Sequence, residues 1–225
     1  MLIDADTLTS GSTRTSEVCV IGAGAAGITL ALELAGDGTT VTLLESGRVD
    51  PEAETQALYE GQNIGQPATT LDNPVTLDQT RLRYLGGTTN HWAGFCRPLS
   101  AVDFERRDHL AVSGWPIGLD DLLPHYERAA EWCRITDAEF DPDVWAERSG
   151  LPVPYPASGA VTPLVFQLTF PMPFGEVYRS DLATTPGLDV LLGANAVNLA
   201  TADGSRITGV DVRTLAGTEL RVEAD

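Results

Sequence analysis

Residues 18–45 constrain the fold of this chain more than any other segment. Val18 to Ile21 is an apolar, β-branched run of strand length, and the glycine pattern G-x-G-x-x-G follows it at residues 22–27. Apolar residues then recur at helical spacing to about Leu34, and a second apolar run, Val41 to Leu44, ends in Glu45. Strand, glycines, helix, strand and acid in this order predict a βαβ unit of a Rossmann-like α/β fold, with the first strand buried on both faces.

Each glycine of the pattern meets a requirement of dinucleotide binding. Gly22 allows a tight turn, Gly24 lets the backbone approach a pyrophosphate, and Gly27 lets the helix pack closely on the strand. The helix that begins at Ala25 and Ala26 directs N–H groups and the positive end of its dipole at the phosphates. The pattern predicts a dinucleotide site but does not separate FAD from NAD.

The acid at the end of the second strand adds to this prediction. Glu45 lies 18 residues after Gly27 and is followed by Ser46. A carboxylate at this place can accept hydrogen bonds from a ribose diol and would repel a 2′-phosphate, which disfavours NADP.

Composition excludes several classes of function. The chain has 225 residues, 43% of them hydrophobic and 20% charged, as expected for a soluble globular protein of one large domain or slightly more. Its net charge of −18 disfavours nucleic acid and membrane partners. All 14 basic residues are arginine, so this stretch holds neither a Walker-type nor a Schiff-base lysine.

The cysteines and the amino terminus indicate a cytoplasmic protein without a metal site. Cys19, Cys96 and Cys133 are too few and too widely spaced for a zinc cluster or a disulfide framework. The uncharged run from Val18 to Leu32 is too short and too rich in glycine for a membrane span, and its acidic flank is wrong for a signal peptide. Residues 1–15 have no apolar period and are predicted to be a flexible tail.

A second motif lies at residues 81–94. Gly86 and Gly87 are followed by Thr88, Thr89 and Asn90, which together can present N–H groups and hydroxyls to the polar edge of a ligand. A surface turn is the alternative interpretation of this motif when it is considered alone.

With this motif the chain resembles the glucose-methanol-choline (GMC) family of FAD-dependent oxidoreductases. Four blocks carry the resemblance: V-I-G-A-G-A-A-G with L-L-E-S-G, then G-G-T-T-N-H-W at 86–92, G-W-P at 114–116 with D-L-L-P-H-Y-E-R at 121–128, and residues 187–212. The resemblance implies that residues 86–91 line the isoalloxazine of FAD and that Val197 contacts the adenine. It also implies hydride transfer from a CH–OH group to flavin N5, with oxygen or another compound as electron acceptor.

His91 is similar in position to a histidine that is joined covalently to the flavin in the pyranose oxidase and choline oxidase branches. The neighbouring Asn90 and Trp92 are more similar to the pyranose oxidase branch, which points to a sugar or other alcohol as substrate. The commoner family pattern has asparagine where Trp92 stands, so asparagine contacts are not transferred to this position. The attachment of the flavin, covalent or not, stays open.

The rest of the chain is predicted in less detail. A helix is expected from Pro124 to about Arg134, and His109 and His125 are interpreted as structural or exposed. Residues 138–173, which are rich in proline, are expected to be irregular. Four short strands follow at residues 188–192, 196–199, 207–213 and 219–222, and the last pairs are expected to form hairpins.

Together these patterns predict four segments: a tail at 1–15, the first part of an FAD-binding domain at 16–105, part of a substrate domain at 106–185, and a second, truncated FAD-binding part at 186–225. The family resemblance places the catalytic histidine and its partner beyond Asp225, so we expect an amino-terminal fragment that is inactive alone. Two alternatives stay open: another flavoprotein, of the monooxygenase or amine oxidase type, and a noncatalytic NAD-binding module.

Overall fold

A computed structural model of the chain describes residues 1–62, 64, 69–70, 73–153, 161–170 and 172–224. It divides the chain into two compact units, residues 1–92 with 173–225 and residues 93–172. The inserted unit therefore begins and ends about thirteen residues earlier than the substrate domain predicted at 106–185. The assignment of FAD-binding and substrate roles to these units stays a prediction.

The strands are β1 (Leu2–Asp4), β2 (Ser12–Ser16), β3 (Val18–Ile21), β4 (Val41–Glu45), β5 (Thr69–Thr70), β6 (Asn73–Pro74), β7 (Phe95–Cys96), β8 (Gln167–Leu168), β9 (Leu188–Leu192), β10 (Asn195–Thr201), β11 (Ile207–Arg213) and β12 (Glu219–Ala224). The helices are α1 (Ala25–Gly36), α2 (Ala53–Ala57), α3 (Leu77–Thr80), α4 (Ala101–Phe104), α5 (Leu119–Trp132), α6 (Pro142–Ser149), α7 (Phe174–Val177) and α8 (Arg179–Thr184). Ala5–Thr7 and Gly87–Asn90 form 3₁₀ turns.

The first unit contains a parallel sheet of four strands in the order β1-β9-β4-β3. All five residues of β4 are buried, because β4 has a strand on each side and α1 packs beside it. Helix α1 buries the predicted stripe of Ile28, Leu32 and Ala35. The Rossmann-like α/β fold predicted from residues 18–45 is confirmed, with β3 and β4 at the predicted positions.

Burial of β3 on both faces is not confirmed. Ile21 is 52% exposed, because β3 stands at the edge of the sheet and pairs with β4 alone among the described strands.

The flexible tail predicted for residues 1–15 is also wrong. Strand β1 pairs in parallel with β9, and β2 pairs in parallel with β12. Ala5, between the two strands, is fully buried. The sequence gives no apolar period here because the two strands are short and their stability comes from backbone pairing with distant parts of the chain.

A second sheet, in the order β10-β11-β12-β2, packs its apolar residues against the first. The predicted hairpins are confirmed, because β10 with β11 and β11 with β12 pair antiparallel. Leu44 and Leu191 of the first sheet share one hydrophobic cluster with Val210, Val212 and Val222 of the second.

The regular elements described in the second unit are helices α4, α5 and α6 and the short strands β7 and β8. Helix α5 begins at Leu119, five residues before the predicted start, because the Gly118 N–H donates to the Asp121 carboxylate (2.8 Å) at its first turn. Pro124 lies inside the helix. Strands β7 and β8 pair antiparallel, and residues 161–166 are irregular as predicted. Residues 154–160 and 171 of the predicted irregular segment lie outside the described residues.

Candidate functional site

The turn after β3 has the conformation that the glycine pattern predicts. Gly22 has a φ of +96°, which is in the left-handed region, and its N–H donates to the Leu44 carbonyl at 2.7 Å. The turn is thereby tied to the end of β4, the strand that carries Glu45.

The other two glycines of the pattern differ in their surroundings. A Cβ atom on Gly27 would lie 1.9 Å from the Gly22 carbonyl oxygen, so this position requires glycine for packing within the protein. A Cβ atom on Gly24 would meet no protein atom within 4 Å. Gly24 is the N-cap of α1 and makes no side-chain cap, so the first turn at Ala25 and Ala26 faces space that a ligand can enter.

Glu45 is only 5% exposed, and backbone groups hold its carboxylate. Its Oε2 accepts from the Ala23 N–H at 2.9 Å, and its Oε1 accepts from the Gly47 N–H at 2.8 Å. The Ser46 hydroxyl lies 3.5 Å from Oε1. Because each carboxylate oxygen can accept two hydrogen bonds, the carboxylate retains capacity for the hydroxyls of a ligand.

The structure brings the two sequence motifs together. The Gly86 N–H donates to the Ala23 carbonyl at 2.8 Å, and a Cβ atom on Gly87 would lie 3.4 Å from the Gly24 Cα. Gly86 has a φ of +95° and Gly87 of +55°, which any other residue would adopt with strain. The loop at residues 86–90 and the turn at residues 22–24 therefore form one continuous surface.

Polar side chains of the second motif hold this loop in shape. The Asn90 side-chain amide donates to the Leu85 carbonyl at 3.0 Å. The Thr89 hydroxyl donates to the Gly86 carbonyl at 2.6 Å and accepts from the Phe174 N–H at 3.0 Å. The exposed Thr88 lies with its hydroxyl 3.5 Å from the Leu82 N–H. The sequence analysis assigned these groups to a ligand and did not identify their bonds within the loop.

His91 follows the 3₁₀ turn directly and is exposed. Its backbone N–H donates to the Thr88 carbonyl at 3.2 Å. The next residue, Trp92, meets the Phe174 ring edge to face, with ring centroids 6.2 Å apart. His91 is thus held at the end of the loop by its backbone, while its side chain is accessible. The other two histidines, His109 and His125, are exposed.

Val197 lies apart from these residues. It is 56% exposed on β10 in the second sheet, where it lines a shallow depression with Asn198 and Asp211. None of the other predicted site residues lines this depression.

Two further glycines shape the site and were missed by the sequence analysis. A Cβ atom on Gly175 would lie 2.1 Å from the Leu85 carbonyl oxygen, and one on Gly47 would lie 2.3 Å from the Arg83 carbonyl oxygen. Both glycines allow other segments to pack directly on the second motif. No motif surrounds Gly175 in the sequence, so only the distant contact identifies it.

An ion-pair group beside Glu45 was also missed. The Arg48 guanidinium pairs with Asp4 and Asp6 from the amino-terminal segment. Burial alone would raise the pKa of Asp4, but the Arg48 hydrogen bond, the Asp6 N–H and the Arg48 charge together lower it below its ordinary value. These acids bring the first residues of the chain to the end of β4.

Comparison with known sequences gives two matches. The sequence profile of the DAO family, described as FAD dependent oxidoreductase, matches residues 17–218. The curated protein 6'''-hydroxyparomomycin C oxidase of Streptomyces lividus is 30% identical over 123 residues, which are 51% of this chain and 22% of that protein.

Three solved structures are similar to the chain, and the descriptions of two of them name FAD. Pyridoxine 4-oxidase from Mesorbium loti has a TM-score of 0.57 at 18% identity, covering 93% of this chain and 48% of that one. An FAD-dependent oxidoreductase from Chaetomium thermophilum has a TM-score of 0.52 at 20% identity, covering 93% and 44%. A formate oxidase variant of Aspergillus oryzae RIB40 has a TM-score of 0.50 at 18% identity, covering 97% and 45%.

The sequence identities and the shares of each chain covered limit what these matches show about this chain. At identities of 20% and below, the structures show a shared fold. The chain spans less than half the length of each of these structures and 22% of the curated relative.

Within the described residues, no helix is long and apolar enough to cross a membrane. The same residues contain no group of three side chains suited to a metal ion.

Proposed function

Because the chain belongs to the family of FAD-dependent oxidoreductases, we propose that it holds FAD for the oxidation of a CH–OH group in an alcohol or a sugar. The observation that supports this most strongly is the hydrogen bond from the Gly86 N–H to the Ala23 carbonyl. It joins the turn suited to a pyrophosphate to the loop that the GMC resemblance assigns to the flavin ring.

The residues present fit the ADP part of FAD. Gly24, whose missing Cβ leaves open space, and the first turn of α1 supply the phosphate contact. The buried Glu45 carboxylate, oriented by two backbone N–H groups, accepts the ribose hydroxyls, with Ser46 beside it. We assign Val197 to the adenine on the GMC resemblance, since its contacts within the protein do not connect it to the other residues.

A bound flavin would supply the redox chemistry, because its N5 can accept a hydride from a carbinol carbon. This chain's residues supply position. Loop 86–91 is held in shape by Thr89, Asn90 and the glycines, so its backbone would keep one arrangement beside a bound flavin. The GMC resemblance assigns the base that takes the hydroxyl proton to none of residues 1–225, so these residues are assigned binding and orientation.

The substrate class rests on two kinds of support. The name of the Streptomyces lividus relative gives 6'''-hydroxyparomomycin C as its substrate, and that of the Mesorbium loti enzyme gives pyridoxine. The Asn90-His91-Trp92 sequence resembles the pyranose oxidase branch of the GMC family. We therefore propose a small hydroxylated compound as substrate and oxygen or another small molecule as electron acceptor.

Titration of the 225-residue chain with FAD tests the cofactor part of this proposal. We expect saturable binding at one site, followed by flavin fluorescence, and weaker binding of NAD and NADP. Glu45→Gln removes the charge that holds the ribose and should weaken FAD binding about tenfold, because hydrogen bonds to a charged group contribute about 1.5–3 kcal/mol. Glu127→Gln, which changes an exposed carboxylate on α5 in the second unit, is the matched control. Tight NAD binding without FAD binding would support the noncatalytic module instead.

His91 requires a separate experiment. The protein is loaded with FAD, unfolded in acid and separated from free flavin, and the mass of the polypeptide is measured for wild type and His91→Ala. Flavin retained by wild type and lost from the variant would establish a covalent link at His91. Complete release from both would show that the flavin is held without a covalent link, and the FAD site itself would stand.

A further inference from the structure

The second unit contains a cavity of about 290 Å³ between β7 and α5. Its wall is largely apolar, with Tyr126, Ile135 and Phe140 contributing side chains. Cys96 from β7 and Cys133 at the end of α5 line the same cavity. Two of the three cysteines of the chain therefore line the same cavity, although 36 residues lie between them in the sequence.

The two thiols lie close enough to interact, since both line this cavity and each shifts the pKa of the other. Both residues are partly exposed, so a small molecule that enters the cavity can reach them. The backbone at Cys133 is fixed, because its N–H donates to the Ala129 carbonyl at 3.0 Å and its carbonyl accepts from the Thr169 hydroxyl. Strand β7 holds Cys96 through its pairing with β8.

We infer that Cys96 and Cys133 are a reversible disulfide site, oxidised by a low-molecular-weight disulfide such as oxidised glutathione. One cysteine thiolate attacks a sulfur of the small disulfide, whose S–S bond breaks and releases one thiol. The second cysteine then attacks the protein sulfur of this mixed disulfide and releases the second thiol. The two protein thiols lose two electrons and two protons, and the small disulfide is reduced to two thiols.

The order of the two attacks follows from the surroundings of the thiols. Burial and, to a smaller extent, the neighbouring Cys96 raise the pKa of Cys133 to about 12. Burial also raises the pKa of Cys96, but the Cys133 hydrogen bond partly offsets this rise. Cys96 therefore forms the thiolate more readily and attacks first, while Cys133 closes the disulfide.

Cys19 in the first unit provides a control within the same chain. Burial raises the pKa of its thiol to about 11, as at the other two positions, but Cys19 lies in β3 without a second cysteine in its unit. It can therefore undergo no cross-link inside its unit.

Oxidation of the 225-residue chain with excess oxidised glutathione tests the inference. We expect the intact mass to fall by two hydrogens and the titratable thiols to fall from three to one. Because trypsin cleaves this lysine-free chain only after arginine and not between Arg97 and Pro98, the digest should contain peptide 84–106 joined to peptide 129–134. Dithiothreitol should restore both free peptides.

The single variants Cys96→Ala and Cys133→Ala show whether each cysteine of the cavity reacts with oxidised glutathione when the other is absent. Each should end with one glutathione on the remaining cysteine of the cavity, which shows that the site is open to the reagent. A wild-type protein that keeps three free thiols, or that accumulates glutathione adducts without the 84–106 to 129–134 cross-link, would overturn the inference. The test does not involve FAD, so its result is independent of the proposed function.

Discussion

Gly24 and Gly27 belong to one motif but serve different partners. At Gly27 a methyl group would collide with the Gly22 carbonyl oxygen of the same protein, at 1.9 Å. At Gly24 a methyl group would meet no protein atom within 4 Å and would project into the space beside the first turn of α1. The first position is therefore required for folding, and the second is free to change unless a ligand fills that space.

Substitutions at the two positions should separate stability from binding. Gly27→Ala should lower the free energy of unfolding by about 2 kcal/mol or more, because either the helix or the turn must shift. Gly24→Ala should leave the free energy of unfolding within about 0.5 kcal/mol of wild type and weaken FAD binding at least about tenfold by blocking the pyrophosphate. Urea denaturation and FAD titration measure the two effects.

Gly36→Ala, at the end of α1, is the matched control, because a Cβ atom there also meets no protein atom within 4 Å. It should change neither measurement appreciably. Undiminished FAD binding by a folded Gly24→Ala variant would contradict the proposed position of the pyrophosphate.

Strand β9 joins distant parts of the chain into one sheet. It comes after the whole second unit in sequence, yet it pairs in parallel with β4 on one side and with β1 on the other. Val190 and Leu191 are fully buried there, and Leu191 shares the hydrophobic cluster between the two sheets. The parallel sheet of the first unit is therefore complete only when β9, which follows the second unit in the chain, has paired with β1 and β4.

Substitutions of one leucine in β9 and one in β10, the next strand along the chain, test this arrangement. Leu191→Ala should lower the free energy of unfolding by about 3 kcal/mol, through lost burial and the cavity that remains. Leu199→Ala, on β10 and 49% exposed, removes the same atoms from a surface position and should cost less than about 1 kcal/mol. Equal losses in urea denaturation would contradict the central place of β9.

The two units differ in how much apolar surface they bury. Among the described residues, the large, fully buried side chains all lie in the first unit, chiefly in β4, β9, β11 and β12. In the second unit the 14-residue helix α5 buries one residue, Ala130. Backbone hydrogen bonds that few buried side chains protect open at a lower free-energy cost, so the second unit should be less stable locally.

Hydrogen exchange should show this difference directly. Amides of β4 and β9 should exchange at least about a hundredfold more slowly than those of α5, measured by mass spectrometry of peptides at neutral pH. Addition of FAD should slow exchange at residues 22–27 and 86–91 and leave α5 unchanged. Equal protection of α5 and β4 would show that the two units have similar stability.

The sequence predicted helices and strands well where the residues that determine them are close together in the chain. The strands at 18–21, 41–45, 188–192 and 207–213 and the helix from Ala25 agree with the structure, because apolar periodicity and glycine turns act over a few residues. The start of α5 was wrong, because Asp121 and Gly118 form a cap that outweighs the interior proline. The tail was wrong, because pairing with β9 and β12 lies far away in sequence.

The candidate site shows the same division. The residue types at 22–27 and 45 predict a dinucleotide site, since few other residues would permit that turn, that packing and a contact with a ribose. Other features of the site depend on segments that pack together only after folding. These are the contact between residues 22–24 and residues 86–91, the hydrogen bonds of Thr89 and Asn90, and the close packing at Gly47 and Gly175. Local pattern thus determines which chemistry the chain can present, and long-range packing determines which of those groups face one another, because a sequence records neighbours along the chain and not across it.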